Sequence, residues 1–91
     1  MIQFGSTIQR YRAQLQLKQS VLAKKSGITI TYLSKLENNR KEPSLLILKK
    51  LSKIFRVSEE ELFWSAIIDS KGLLNKNQRI LKIVSTLIRR K

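Results

Sequence analysis

The stretch Gln19-Ser20-Val21-Leu22-Ala23-Lys24-Lys25-Ser26-Gly27-Ile28-Thr29-Ile30-Thr31-Tyr32-Leu33-Ser34-Lys35-Leu36 decides how the rest of the chain is read. Its first half predicts a short helix, Gln19 to Ser26, that buries Leu22 and Ala23. Gly27 suits the left-handed position that ends such a helix. Thr29 is a natural N-cap for a second helix running to Glu37, with Leu33 and Leu36 pointing inward. Asn38 and Asn39 end it, because Asn tolerates left-handed geometry better than other residues with a side chain. Ala23 lies where the first helix must press against the second, and a small residue there lets the backbones approach. Gly27 lets the chain reverse within a few residues, and Ile28 sits in the turn as an apolar pin.

The flanking segments also carry helical rather than alternating spacing. Ser6 or Thr7 is expected to cap a first helix to Leu15, with Ile8, Tyr11 and Leu15 on its apolar face. After Arg40-Lys41-Glu42-Pro43, Ser44 caps a fourth helix carrying Leu45, Leu48, Leu51, Ile54 and Phe55. Ser58 caps a fifth, whose first turn holds Glu59, Glu60 and Glu61 in favourable interaction with the helix dipole; Leu62 and Phe63 close the core. The three glutamates are not a metal cluster, since consecutive helical positions diverge by about 100°. A polar break at Asp69-Ser70-Lys71-Gly72 precedes a last helix from about Asn77 to Arg90. The expected fold is all-α: five short helices over residues 1–68, then a C-terminal amphipathic helix within 69–91.

Composition narrows the chemistry. The 91 residues hold 19 Lys and Arg against six Asp and Glu, a net charge of +13. The absence of Cys and His removes disulfides, thiolate nucleophiles, imidazole bases and the usual zinc sites. No enzyme reading has support in the residues that remain, and no cofactor or small-molecule substrate is expected. No stretch approaches a membrane span and the opening residues do not read as a targeting signal, so a cytoplasmic protein without a membrane partner is the default expectation. A surplus of this size calls for an anionic partner, of which nucleic acid is the commonest.

Two short helices fixed across a tight turn form the helix-turn-helix arrangement, in which one helix enters a major groove while the other lies across phosphates. Residues Gly5 to Phe63 resemble the Cro and phage-repressor (XRE-like) family of bacterial and phage regulators. The resemblance rests on Ile8 with Arg12, Leu17 to Ala23, Ser26-Gly27-Ile28, Tyr32 to Glu37, Pro43-Ser44-Leu45, Leu48 and Leu51, and Val57-Ser58 with Glu61-Leu62. It implies a five-helix, lambda-repressor-like domain that binds double-stranded operator DNA, usually as a homodimer.

The resemblance also assigns roles. Ile30, Thr31, Ser34 and Lys35 would face the bases. Lys18, Gln19, Thr29, Tyr32, Asn38, Asn39, Arg40 and Lys41 would meet the phosphate backbone. Arg12 and Glu37 would form a partly buried salt bridge between the first and third helices. Ile30 replaces a polar residue common in relatives, and its apolar side chain can only pack on a thymine methyl; Lys35 suits guanine O6 or N7. Lys18 stands where the family usually has Thr, and Arg56 where it usually has Gly. Plainer readings stand beside these: Thr29 is a cap first, Tyr32 is equally a core or hinge residue, and Lys49, Lys50 and Lys53 are a solvated face.

A five-helix core leaves Ile80, Ile83, Val84 and Leu87 as an apolar stripe needing another surface. The favoured expectation is a dimer interface shared with Trp64, Ile67 and Ile68; folding back over its own domain is the competing one. The resulting functional expectation is a homodimeric repressor reading a two-fold symmetric operator. The rivals are an antitoxin or other partner-binding protein whose last helix binds another chain, and a nonspecific nucleic-acid packaging protein.

Overall fold

A computed structural model of the chain describes residues 2–70. Five α-helices and no strands occur among them: α1 (Gly5–Gln14), α2 (Gln19–Ser26), α3 (Ile30–Glu37), α4 (Leu45–Phe55) and α5 (Glu59–Ser70). The expected last helix, with Ile80, Ile83, Val84 and Leu87, lies outside the described residues.

The core forms because each helix gives up one apolar stripe. Ile8, Leu22, Leu33, Leu36, Leu51, Leu62 and Ala66 are almost completely removed from solvent. α1 packs on α3 and α5, α2 on α3 and α4, and α4 on α5. Tyr11 of α1 stacks on Phe55 of α4, with ring centroids 5.1 Å apart. Ala23 is 2% exposed and Ile28 packs half-buried against the core, so the turn between α2 and α3 is tight for the anticipated reasons. Gly27 sits at φ 70°, ψ 29°, the left-handed conformation that ends α2.

Capping follows the sequence at three helices. Thr29, Ser44 and Ser58 accept hydrogen bonds from the amides of Tyr32, Ile47 and Glu61. α1 departs from expectation: neither Ser6 nor Thr7 caps it. The helix starts at Gly5, whose N–H donates to Asn39 Oδ1 at 2.9 Å, so its cap comes from the far end of α3. Thr7 is instead fully buried, and its hydroxyl donates to Asp69 at 2.6 Å.

Three apolar residues expected inside are outside. Leu15 follows the end of α1 and is 41% exposed. Leu45 is 83% exposed, because α4 turns Ile47, Leu51 and Phe55 inward instead. Phe63 is 43% exposed, touching Phe4 at its edge while Leu62 and Ala66 fill the core. Conversely, Ile68 is 3% exposed.

α5 also runs past the expected break at Asp69. Asp69 accepts from Thr7 and from Arg10 (3.1 Å), and the Ser70 hydroxyl bridges the backbone N–H and C=O of Gln3. The end of α5 is thereby pinned to the start of the chain.

Arg56 ends α4 at φ 60°, ψ 40°, a left-handed conformation that costs an L-residue roughly 1–2 kcal/mol. Glycine there removes that cost and loses part of the gain to its greater freedom when unfolded. Arg56→Gly is therefore expected to stabilise the protein by about 0.5–1 kcal/mol in urea unfolding; a loss of stability would show that the arginine side chain holds contacts worth more than the backbone strain.

Candidate nucleic-acid interface

The site is organised from beneath by Glu37, the one acid among residues 2–41, which also hold eight Lys and Arg. Its side chain is 3% exposed. A carboxylate so buried needs both charge and hydrogen-bond partners to keep its ionised form. Arg12 supplies a two-point contact, Nε donating to Oε2 at 2.8 Å and Nη2 to Oε1 at 3.1 Å. Gln19 Nε2 adds a third donor to Oε1 at 3.0 Å. Arg12 Nη1 continues to the carbonyl of Leu17, in the connection leading into α2. The expected ion pair is thus present, and it joins α1, α2 and α3 at one point.

The end of α3 is held by its backbone as well. The Glu37 carbonyl would lack an intrahelical donor, and Gln9 Nε2 supplies one at 2.9 Å. A Cβ on Gly5 would collide with that same carbonyl oxygen, and would stand 2.7 Å from Asn39 Oδ1. Gly5 is therefore a close-approach glycine. Nothing in the sequence around it announced this, because the partner lies more than thirty positions away.

With its inner face so fixed, α3 presents the opposite face to solvent. Ile30 is 49% exposed; Thr29, Thr31 and Lys35 are exposed and Ser34 is half-buried. These residues share one side, opposite the fully buried Leu33 and Leu36. Tyr32 is half-buried and packs against the core. Asn38, Asn39, Arg40 and Lys41 follow as an exposed run at the end of α3.

The start of α2 differs from those of α3, α4 and α5. Its N-cap is Lys18, which is exposed, has extended backbone geometry and makes no side-chain cap hydrogen bond. The first amides of α2 consequently have no capping side chain, and no acid occupies the first turn of α2 or α3. Uncapped amides at the positive end of a helix dipole, flanked by a lysine, are chemically suited to a phosphate.

Three residues expected to touch the backbone of a nucleic acid also make specific hydrogen bonds within the fold. Gln19 commits one amide N–H to Glu37 and retains the other. Asn39 commits its oxygen to Gly5 and retains its NH2 group. Asn38 Nδ2 donates back to the Ser34 carbonyl at 2.8 Å. Periodicity reports which face a side chain occupies and is silent about such long-range pairings. Of the proposed interface residues, Trp64 is 47% exposed and Ile67 half-buried. Among the described residues no group of His, Cys, Asp and Glu could hold a metal, and no helix is long and apolar enough to cross a membrane.

This geometry has close counterparts. A family model described as helix-turn-helix matches residues 8–62. An uncharacterised HTH-type transcriptional regulator of Mycobacterium tuberculosis is 36% identical over 59 residues, which is 65% of this chain and 42% of that protein. The chain therefore spans less than half the length of that relative. The structure of SinR, a master regulator for biofilm formation from Bacillus subtilis, in complex with DNA superposes with a TM-score of 0.61. It is 37% identical, covering 65% of this chain and 95% of that one. The P22 c2 repressor bound to a synthetic operator gives a TM-score of 0.62 at 28% identity, covering 69% and 96%.

Removing Arg12 would leave the Glu37 carboxylate buried with Gln19 as its remaining side-chain donor. Arg12→Ala is expected to cost on the order of 3 kcal/mol in chemical denaturation, whereas Lys24→Ala on the exposed side of α2 should change stability by less than about 0.5 kcal/mol. Equal effects from the two would remove Glu37 from its anchoring role.

Proposed function

The chain belongs to the helix-turn-helix family, and on that premise we propose that it is a sequence-specific, DNA-binding transcriptional regulator acting as a homodimeric repressor. One observation carries the reading: an exposed face of α3 bearing Ile30, Thr31, Ser34 and Lys35, backed by a helix end fixed through Glu37. α3 enters the major groove. Lys35 donates to guanine O6 or N7, Thr31 and Ser34 contact base edges, and Ile30 packs on a thymine methyl. Lys18, Gln19 and the open amides of α2 hold one phosphate, with Thr29 and Tyr32 at its edge. Asn38, Asn39, Arg40 and Lys41 hold the backbone beyond α3.

Two such domains bind half-sites about one helical turn apart, roughly 34–36 Å, and occupancy excludes polymerase. Residues 69–91 act as the dimerisation element, with Trp64 and Ile67 beside them. Cytoplasmic location follows from this role, since the operator is there.

Selection from a random duplex pool, with the mass of the bound complex measured, tests this reading. The expected product is a two-fold symmetric motif carrying two chains; indifference to sequence would favour nonspecific packaging. Lys35→Ala should relax preference at one position per half-site, costing roughly 1–3 kcal/mol there. Lys41→Ala should weaken all duplexes alike and lower the magnitude of the log K against log salt slope by about 0.9.

The thymine contact has its own check. Replacing the contacted thymine by uracil removes one methyl, about 0.8 kcal/mol if fully buried, or about fourfold in affinity. Wild-type protein should register that loss and Ile30→Ala should not. The same loss in both proteins would place the methyl away from Ile30.

A further inference from the structure

Charge divides this chain into three unequal parts. Residues 2–41 hold eight basic residues and one acid, and residues 71–91 hold seven basic residues and no acid. Residues 42–70 hold four basic residues against five acids, so α4 and α5 are the one part of the protein that is not cationic. The same part carries an exposed apolar groove. Leu45 and Leu48 of α4 form one wall and Phe63 and Trp64 of α5 the other, with Glu59 and Glu60 at its rim. Leu45 is 83% exposed, Phe63 43% and Trp64 47%. Three exposed large apolar side chains gathered with the half-buried Leu48 around one groove on a small domain mark a surface meant to be covered.

From these features we propose that the groove between the N-terminal ends of α4 and α5 is the acceptor for the C-terminal segment of a second copy of this chain. Each protomer places the stripe Ile80, Ile83, Val84 and Leu87 across its partner's Leu45, Leu48, Phe63 and Trp64. The proposal rests on the homodimer reading above and deepens it, because it names what the dimerisation element grips: the partner's domain rather than the partner's equivalent segment. The chemistry matches on both counts. The stripe at helical spacing supplies the apolar cover. Lys76, Arg79 and Lys82 bring positive charge to a groove whose rim bears the exposed Glu59. Pairing two +7 segments with each other would instead set like charges side by side.

The place of departure also fits. The end of α5 is pinned to α1 and Gln3 through Asp69 and Ser70, and the groove residues Trp64 and Phe63 lie six and seven positions before Ser70 on the same helix, about 9–11 Å along its axis. The segment therefore departs from a fixed point on the domain. Reciprocal exchange is self-complementary about a two-fold axis and covers both grooves with the same contact made twice.

The chain has no cysteine, so introduced thiols report contacts without background. Full-length Leu45→Cys and Ile83→Cys are mixed, oxidised mildly and read by mass, with sedimentation of the unsubstituted chain alongside. Leu45 is exposed, so its replacement does not threaten the fold. The expected result is a mixed disulfide dimer that dominates the cross-linked product, in a protein that sediments as a dimer. Predominant Ile83→Cys self-linkage in a dimeric protein would mean the segments grip each other, overturning the groove proposal and leaving the homodimer reading intact. A double variant that closes a disulfide within one chain would mean the segment covers its own groove, which also overturns it. A monomer in sedimentation with no cross-link would overturn both readings. A mixed disulfide appearing only when DNA is added would also contradict it, since the contact is then made by alignment on the duplex and not by the groove.

Discussion

A single buried carboxylate sets the geometry on which the rest depends. Glu37 lies at the last turn of α3, and three side-chain hydrogen bonds draw Arg12 of α1 and Gln19 of α2 onto it. Hydrophobic contacts between helices tolerate small slides and rotations, because apolar surface carries no direction. A two-point guanidinium–carboxylate contact does not. It fixes where α3 ends relative to α1 and α2, and the close approach of Gly5 to the Glu37 carbonyl leaves no slack for movement at that end. The hydrophobic core holds the domain together. The ion pair specifies the angle at which α3 is presented.

That specification has a functional consequence. Gln19 belongs both to the buried network and to the open N-terminus of α2, so the residue that steadies Glu37 also borders the position suited to a phosphate. Asn39 joins the cap of α1 to the exposed run after α3 in the same way. On the proposed reading, structural and binding duties fall on the same residues. A side chain that contacts a phosphate while tied to the scaffold arrives already oriented, and less conformational entropy is lost on association.

Much of this was legible in residue order, and what was not has physical causes. The α2–α3 pair could be read because its constraints are local. Ala23, Gly27 and Thr29 each serve a neighbour a few positions away, and the structure uses each as its type suggests. The cap of α1 could not be read, because its acceptor is Asn39 and sequence spacing carries no record of such a partner. The run Leu45-Leu46-Ile47-Leu48 illustrates another limit. Four consecutive apolar residues on a helix cannot all face inward, and periodicity admits either Leu45 or Ile47 at the first turn. Packing with Leu51 and Phe55 selects Ile47 and turns Leu45 and Leu46 outward. Phe63 turns outward for the same reason: α5 is apolar around much of its circumference, so its buried face is chosen by its neighbours.

Nuclear magnetic resonance of the full chain titrated with its selected duplex tests the central claim most directly, since amide and methyl shifts report which surface meets DNA. The largest changes should fall on Thr29 to Lys35, the first amides of α2 and the Ile30 methyl groups, while the buried Leu33 and Leu36 methyl groups change little. Changes centred on α4 and α5, with the outer face of α3 unaffected, would contradict the account.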